Sequence, residues 1–317
     1  MGGKMRERIN LFLWGIILFA AVQGIGILAG LKFKDYLECY QINFLRIYWW
    51  QFLILFGAVS LVIFNIPKIT KILHRISRKM LKKKLNFLET KFNRFKEKIK
   101  IQSLWQIGFS ILIGFVGFAA TAMFFYYPYA IVFGIILAAA WVLISRVWYH
   151  NFSMMLLLVT FGIIFGFGLS CWSSLIILGS LAVYDLLAVY RFKFMVEFSK
   201  NMVKSGSILG FIIPRLKISD FNARLKEVSS NFKVNLSENK PERFSLTGGG
   251  DAGLPLVLTI SVLVNSGLSH ALIVAGFSII GVIVVYLIYF HKKGHPLPAL
   301  PPIAGFAIVG FLISSLI

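Results

Sequence analysis

SSLIILGSLAVYDLLAVY, residues 173–190, carries a single charged side chain, Asp185. Wound as a helix at ~1.5 Å per residue it is ~27 Å long, close to the thickness of a bilayer's hydrocarbon core. A carboxylate at membrane depth costs at least ~2.5 kcal/mol on insertion scales, so an acid kept there marks a functional position by default. A second acid stands in the same setting. Asp251 heads an apolar run in TGGGDAGLPLVL, residues 247–258.

Working outward, the whole chain has this character. Of its 317 residues, 58% are hydrophobic and 14% charged. Soluble domains hold about 45–50% apolar and ~25% charged residues, so a soluble or a disordered protein is excluded. Runs free of charge, apart from the two acids, cover 10–31, 47–66, 104–126, 128–145, 152–170, 173–190, 251–267, 269–290 and 299–317. The spacing predicts an all-α polytopic membrane protein of about nine transmembrane helices, one membrane domain over 1–317. Six spans fill 1–190, a cytoplasmic loop fills 191–250, and three spans fill 251–317. The first run is longer than the 7–15-residue core of a signal peptide and reads as a span.

Net charge is +21, from 33 Lys+Arg against 12 Asp+Glu. On a soluble chain that excess would suggest nucleic acid. Here the bases sort by side. Alternating loops at the N-terminus, 67–103, 146–151, 191–250 and 291–298 hold all of them except Lys32, Lys34 and Arg46. By the positive-inside rule the N-terminus is cytoplasmic and the C-terminus outside, in a multi-pass protein of the cell membrane. Within 67–103, Leu81, Leu85, Leu88, Phe92, Phe95 and Ile99 recur at steps of three and four among lysines and arginines. This predicts a basic amphipathic helix at about 75–101 lying on an anionic lipid surface. No nucleic-acid partner is implied.

The sixth span runs inward and the seventh outward, which puts both Asp185 and Asp251 in the cytoplasmic part of the bilayer. Consecutive antiparallel spans often pack together. Two facing carboxylates cannot both ionise, so they share a proton: one takes a proton from water, the other donates to a peptide carbonyl. That is amide hydrolysis without a metal or a covalent intermediate. The same pair also suits an ion-coupled transporter with two protonatable acids, although the internal repeats expected of one are not seen. Cys39 and Cys171 form no metal motif, no HExxH occurs, and no cofactor is implied. Gly162 and Gly166 form a GxxxG seam, read as helix packing.

Tyr184–Asp185, the GxGD of Gly248, Gly249, Gly250 and Asp251, and Pro298–Ala299–Leu300 occur in that order at the cytoplasmic ends of spans six, seven and nine. Together they resemble the presenilin and signal peptide peptidase family of GxGD intramembrane aspartyl proteases, and within it the microbial presenilin-like branch. The resemblance implies that Asp185 and Asp251 are the catalytic pair. It implies that Gly248 and Gly250 shape the second aspartate's backbone, and that Pro298, Ala299 and Leu300 pack beside the pair and help admit substrate. The substrates implied are single-span membrane proteins or signal-peptide remnants. The family often has Leu where Gly249 stands, so a looser loop is expected. A GxGD prepilin or preflagellin peptidase is the neighbouring alternative, disfavoured by nine spans and by PAL. In the loop, SGSILGFIIP (205–214) reads as a partial helix at a gate. NFKVNL (231–236) and RFSL (243–246) read as a hairpin, whose strands, by resemblance, would pair with an extended substrate.

Overall fold

The computed structural model describes residues 2–54, 57, 101–125, 127–190, 208–215, 218–228, 230–231, 243–291 and 297–317. The predicted basic helix at 75–101 falls outside these residues, except for Ile101. Eight long helices are described: α1 (Gly2–Cys39), α2 (Ile101–Ala122), α3 (Tyr127–Ile144), α4 (Val147–Gly168), α5 (Cys171–Tyr190), α6 (Gly249–Ser266), α7 (Leu268–His291) and α8 (Leu300–Ser314). Each contains most of one of the apolar runs. Five of them are long and apolar enough to cross a membrane, while α8 and the apolar parts of α2 and α3 are shorter.

Helix α6 lies at the centre. Most of its residues are buried, against α1, α4, α5, α7 and α8. Its seating is steric. A Cβ on Gly26 of α1 would come within 2.5 Å of Leu256 of α6, and one on Gly162 of α4 would come as close to the same side chain. One turn on, Ile260 fills the space left by Gly30 of α1 and Gly166 of α4. Leu256 and Ile260 are therefore wedged between two glycine seams, both with i,i+4 spacing, and both side chains are fully buried. The matched order of these contacts makes α1, α4 and α6 run parallel, as the first, fifth and seventh spans of the expected layout must.

Three expectations change. The chain is not all-α. Strand β1 (Gly210–Pro214) pairs antiparallel with β2 (Phe244–Gly248), matching Gly210 to Gly248 and Pro214 to Phe244. The stretch read as a partial helix is thus a strand at its C-terminal end, where the β-branched Ile212 and Ile213 favour a pleated, buried surface. RFSL does form a strand, but with this segment as its partner; of NFKVNL only Asn231 lies among the described residues. Second, α1 continues beyond its apolar run, so Lys32, Lys34, Asp35 and Glu38 sit on helix rather than in a loop. Lys34 and Glu38 pair across one turn at 3.9 Å. Third, the loop expected at 146–151 is almost entirely helix. Only Ser145 and Arg146 separate α3 from α4, with Ser145 at φ 43°.

The segment after β1 docks on that turn. Val147 N–H donates to Ala223 O at 3.0 Å, and Leu225 N–H to Ser145 O at 2.9 Å. The short 3-10 helix Ile218–Asn222 places Asp220 against Arg243 at the head of β2. That carboxylate holds the guanidinium's pKa above its ordinary value.

The wedge makes a prediction. Gly166→Leu must displace Ile260 and should lower stability by about 1–3 kcal/mol, the usual cost of overpacking. Gly179→Ala, with nothing within 4 Å of the added methyl and Ala the better helix former, should leave the melting temperature unchanged or slightly raised. Thermal unfolding of the two variants in detergent compares them directly.

Candidate active site

Strand β2 runs into α6 without a loop. Gly248 is the N-cap residue of α6, Gly249 its first residue, and Asp251 stands in its first turn. The Asp251 carboxylate turns back over Gly248. This is the placement of a capping-box acid, three residues after the cap. It requires that Gly248 have no side chain, because a Cβ there would stand 2.8 Å from Asp251 Oδ2. Pro255, four residues on, has no N–H to give to the Asp251 carbonyl, so the first turn is also less tied to the rest of the helix.

The other glycines of the motif differ. Gly249 is buried and donates its N–H to Leu209 O at 3.2 Å. A Cβ on it would meet Met154 Cε at 3.3 Å and Leu209 O at 3.4 Å. The loop expected to be loose at Gly249 is therefore held by a hydrogen bond and enclosed by α4. A Cβ on Gly250 would meet nothing within 4 Å, so its missing side chain leaves one side of Asp251 open.

Asp185 approaches from α5, which packs on both α6 and α8. Its Oδ2 accepts a hydrogen bond from the Leu300 N–H at 3.4 Å, at the start of α8. Asp185 and Asp251 lie within electrostatic range of each other. The PAL residues join them. Leu300 binds Asp185, Pro298 is buried, and Ala299 shares a cavity wall with Asp251. Tyr184, next to Asp185, is 37% exposed and does not line that cavity.

The cavity holds about 350 Å³. Phe211 and Ile213 of β1 with Ser245 and Thr247 of β2 form one wall, and Gly15 and Phe19 of α1 face Val282 and Tyr286 of α7. Gly15 is bare because the Tyr286 phenol occupies the place of its Cβ. Asp251 lines the cavity too, as do Arg215 and Tyr289, which are joined by a 3.0 Å hydrogen bond.

A family model described as signal-peptide peptidase, presenilin aspartyl protease matches residues 92–317. The chain belongs to that family. Two crystal structures of a presenilin family intramembrane aspartate protease, in C222 and P2 space groups, share its fold. Both superpose with a TM-score of 0.53, at 19% and 17% identity, covering 96% of this chain and 99% or 97% of the other. No curated protein sequence matches the chain. In this presenilin-family chain the sequence motifs converge as a group. Asp185, Asp251, Gly248, Ala299 and Leu300 meet at one end of the helix bundle, whereas Tyr184 faces outward.

Sequence reasoning missed Gly15 and Tyr286 as cavity residues, and His150 and Asn151 behind the strands. The last two carried a signal: they are polar residues between apolar runs, placed in a loop, whereas the structure buries both on α4.

The motif glycines give a graded prediction. Gly248→Ala should displace the Asp251 carboxylate and lower peptide-bond cleavage by about 10–100-fold, the scale of a misplaced reacting group. Gly250→Ala should reduce it much less. Initial rates with equal amounts of folded enzyme test the order; equal losses would contradict it.

Proposed function

We propose that this protein is an intramembrane aspartyl endopeptidase acting on single-span membrane polypeptides or signal-peptide remnants. The observation that carries the reading is the convergence of Asp185 and Asp251, from two packed helices, on the same PAL segment. Family membership in intramembrane aspartate proteases supports it. The nine-span layout, the cytoplasmic N-terminus and a cell-membrane location belong to the same proposal, as does attachment of the basic 75–101 segment to anionic lipid.

In the mechanism, the ionised aspartate takes a proton from a water held between the pair as that water's oxygen adds to the substrate carbonyl carbon. The protonated aspartate gives its proton to the carbonyl oxygen. The tetrahedral diol then collapses: the C–N bond breaks, the nitrogen gains a proton from the first aspartate, and a diol hydroxyl returns its proton to the second. The pair ends as it began, with one proton between two carboxylates. The peptide bond must be extended to fit between them, and an extended segment matches the outer edge of β2, which leads to Asp251. Strand addition supplies backbone hydrogen bonds at little cost in sequence preference.

Purified protein in liposomes should cleave a single-span substrate. Asp185→Ala and Asp251→Ala should each lower the rate by ~10³-fold or more, as expected of members of an interdependent set. An aspartyl transition-state analogue should inhibit the wild-type protein. Cleavage that persists in either variant would defeat the mechanism. Proton-coupled solute uptake by the same liposomes would favour a transporter instead.

A further inference from the structure

Strand β1 has two edges. The Leu209 carbonyl, at its head, faces β2 and accepts from Gly249 N–H. The even-numbered residues turn their backbone the other way, and there they meet α4. Asn151 Nδ2 donates to Ile212 O at 2.9 Å, and Ile212 N–H donates to Asn151 Oδ1 at 2.9 Å. One carboxamide thus makes both bonds that a neighbouring strand residue would make with Ile212. Beside it, His150 Nε2 is hydrogen-bonded to Gly210 O at 3.0 Å, and its ring stacks on Phe109 with centroids 5.8 Å apart. The next residue on this edge, Pro214, has no N–H to offer. The edge is occupied at Gly210 and Ile212 by side chains that are themselves buried, His150 at 0% exposure and Asn151 at 5%.

We propose that Asn151, assisted by His150, is a positioning residue that fixes the strand pair against Asp251 and thereby selects which peptide bond of the substrate is cut. The inference rests on the endopeptidase reading above. Its basis is a closed circuit of constraints. Helix α4 is locked to α6 where Gly162 and Gly166 receive Leu256 and Ile260. Asn151, on the same α4, holds β1; β1 holds β2 through the ladder; and β2 continues covalently into α6 and Asp251. With the α4 side of β1 occupied, the outer edge of β2 is the one on which an extended substrate would pair. A strand's side chains alternate, and a slip of two residues moves the chain by ~7 Å. Any freedom of β1 along α4 therefore becomes an error in which carbonyl faces the carboxylates.

The test uses the full chain in liposomes with a single-span substrate, and reads product termini by mass spectrometry alongside kcat and KM. Wild-type protein that fails to cleave, or cleaves equally well as Asp251→Ala, would defeat the endopeptidase reading. Given a cleaving wild type, Asn151→Leu keeps the branched shape and the number of heavy atoms and removes both Ile212 bonds. Its expected result is a kcat lowered by about 10–100-fold and product termini spread over bonds the wild type leaves intact. His150→Phe keeps the stack on Phe109 and loses only the Gly210 bond, so a smaller spread is expected. A rate loss with unchanged product termini in both variants would mean a purely structural role and would overturn the proposal, as would unchanged rates. Where Asn151→Leu yields no folded protein, the termini produced by His150→Phe decide.

Discussion

Between two apolar helices in lipid there is no hydrophobic driving force, because the tails they displace are as apolar as they are. What holds α6 in place is shape. Leu256 and Ile260 each fill two vacancies at once, one in α1 and one in α4, and all four vacancies are glycines. Dispersion contacts are small singly and count only at close range, so this arrangement needs backbones that approach and side chains that fit. The rest of the site depends on it. With α6 fixed between two parallel neighbours, Asp251 in its first turn has a defined depth, and α5 and α8 can pack around a fixed axis.

The site then solves a local problem of polarity. A carboxylate, two strands and a helix N-terminus all bring backbone or charged groups to the end of an apolar bundle. Several are satisfied at short range: Gly249 N–H by Leu209, Ile212 and the Gly210 carbonyl of β1 by Asn151 and His150, and Asp185 by Leu300 N–H. Unpaired, such groups are costly in a low-dielectric surrounding. Paired, they become fixed points.

Much of this was legible in the sequence. Apolar run length located eight helices, and the scarcity of acids isolated Asp185 and Asp251, because the membrane makes every charge conspicuous. The GxxxG of α4 was visible as packing, although its partner was not; Gly26 and Gly30 repeat the same spacing in α1 and were open to the same reading. The strands were harder. GFIIP is too short to carry a period, and its apolar character suits a buried helix turn as well as a buried strand. The partner it takes lies thirty or more residues away, beyond the reach of local pattern. His150 and Asn151 were misplaced for a related reason. Polarity ended the run that defined the span, whereas the structure meets that polarity with the backbone of a distant strand, so the helix begins before them. The meaning of Gly249 also depended on neighbours. Its lack of a side chain suggested slack, but Met154 and the Leu209 carbonyl occupy the space.

The absence of any loop between β2 and α6 has a thermodynamic consequence. Gly248 ends the strand and caps the helix, and the Asp251 carboxylate folds back over it. Whatever pairs with the strand and whatever changes the charge on that carboxylate act on the same residue. Two binding events that share a site of action are linked, and the coupling free energy is equal in both directions. Any effect of strand pairing on the proton's affinity for Asp251 must equal the effect of the proton on the strand's affinity for its partner. Recognition and acid–base state are thus two readings of a single equilibrium.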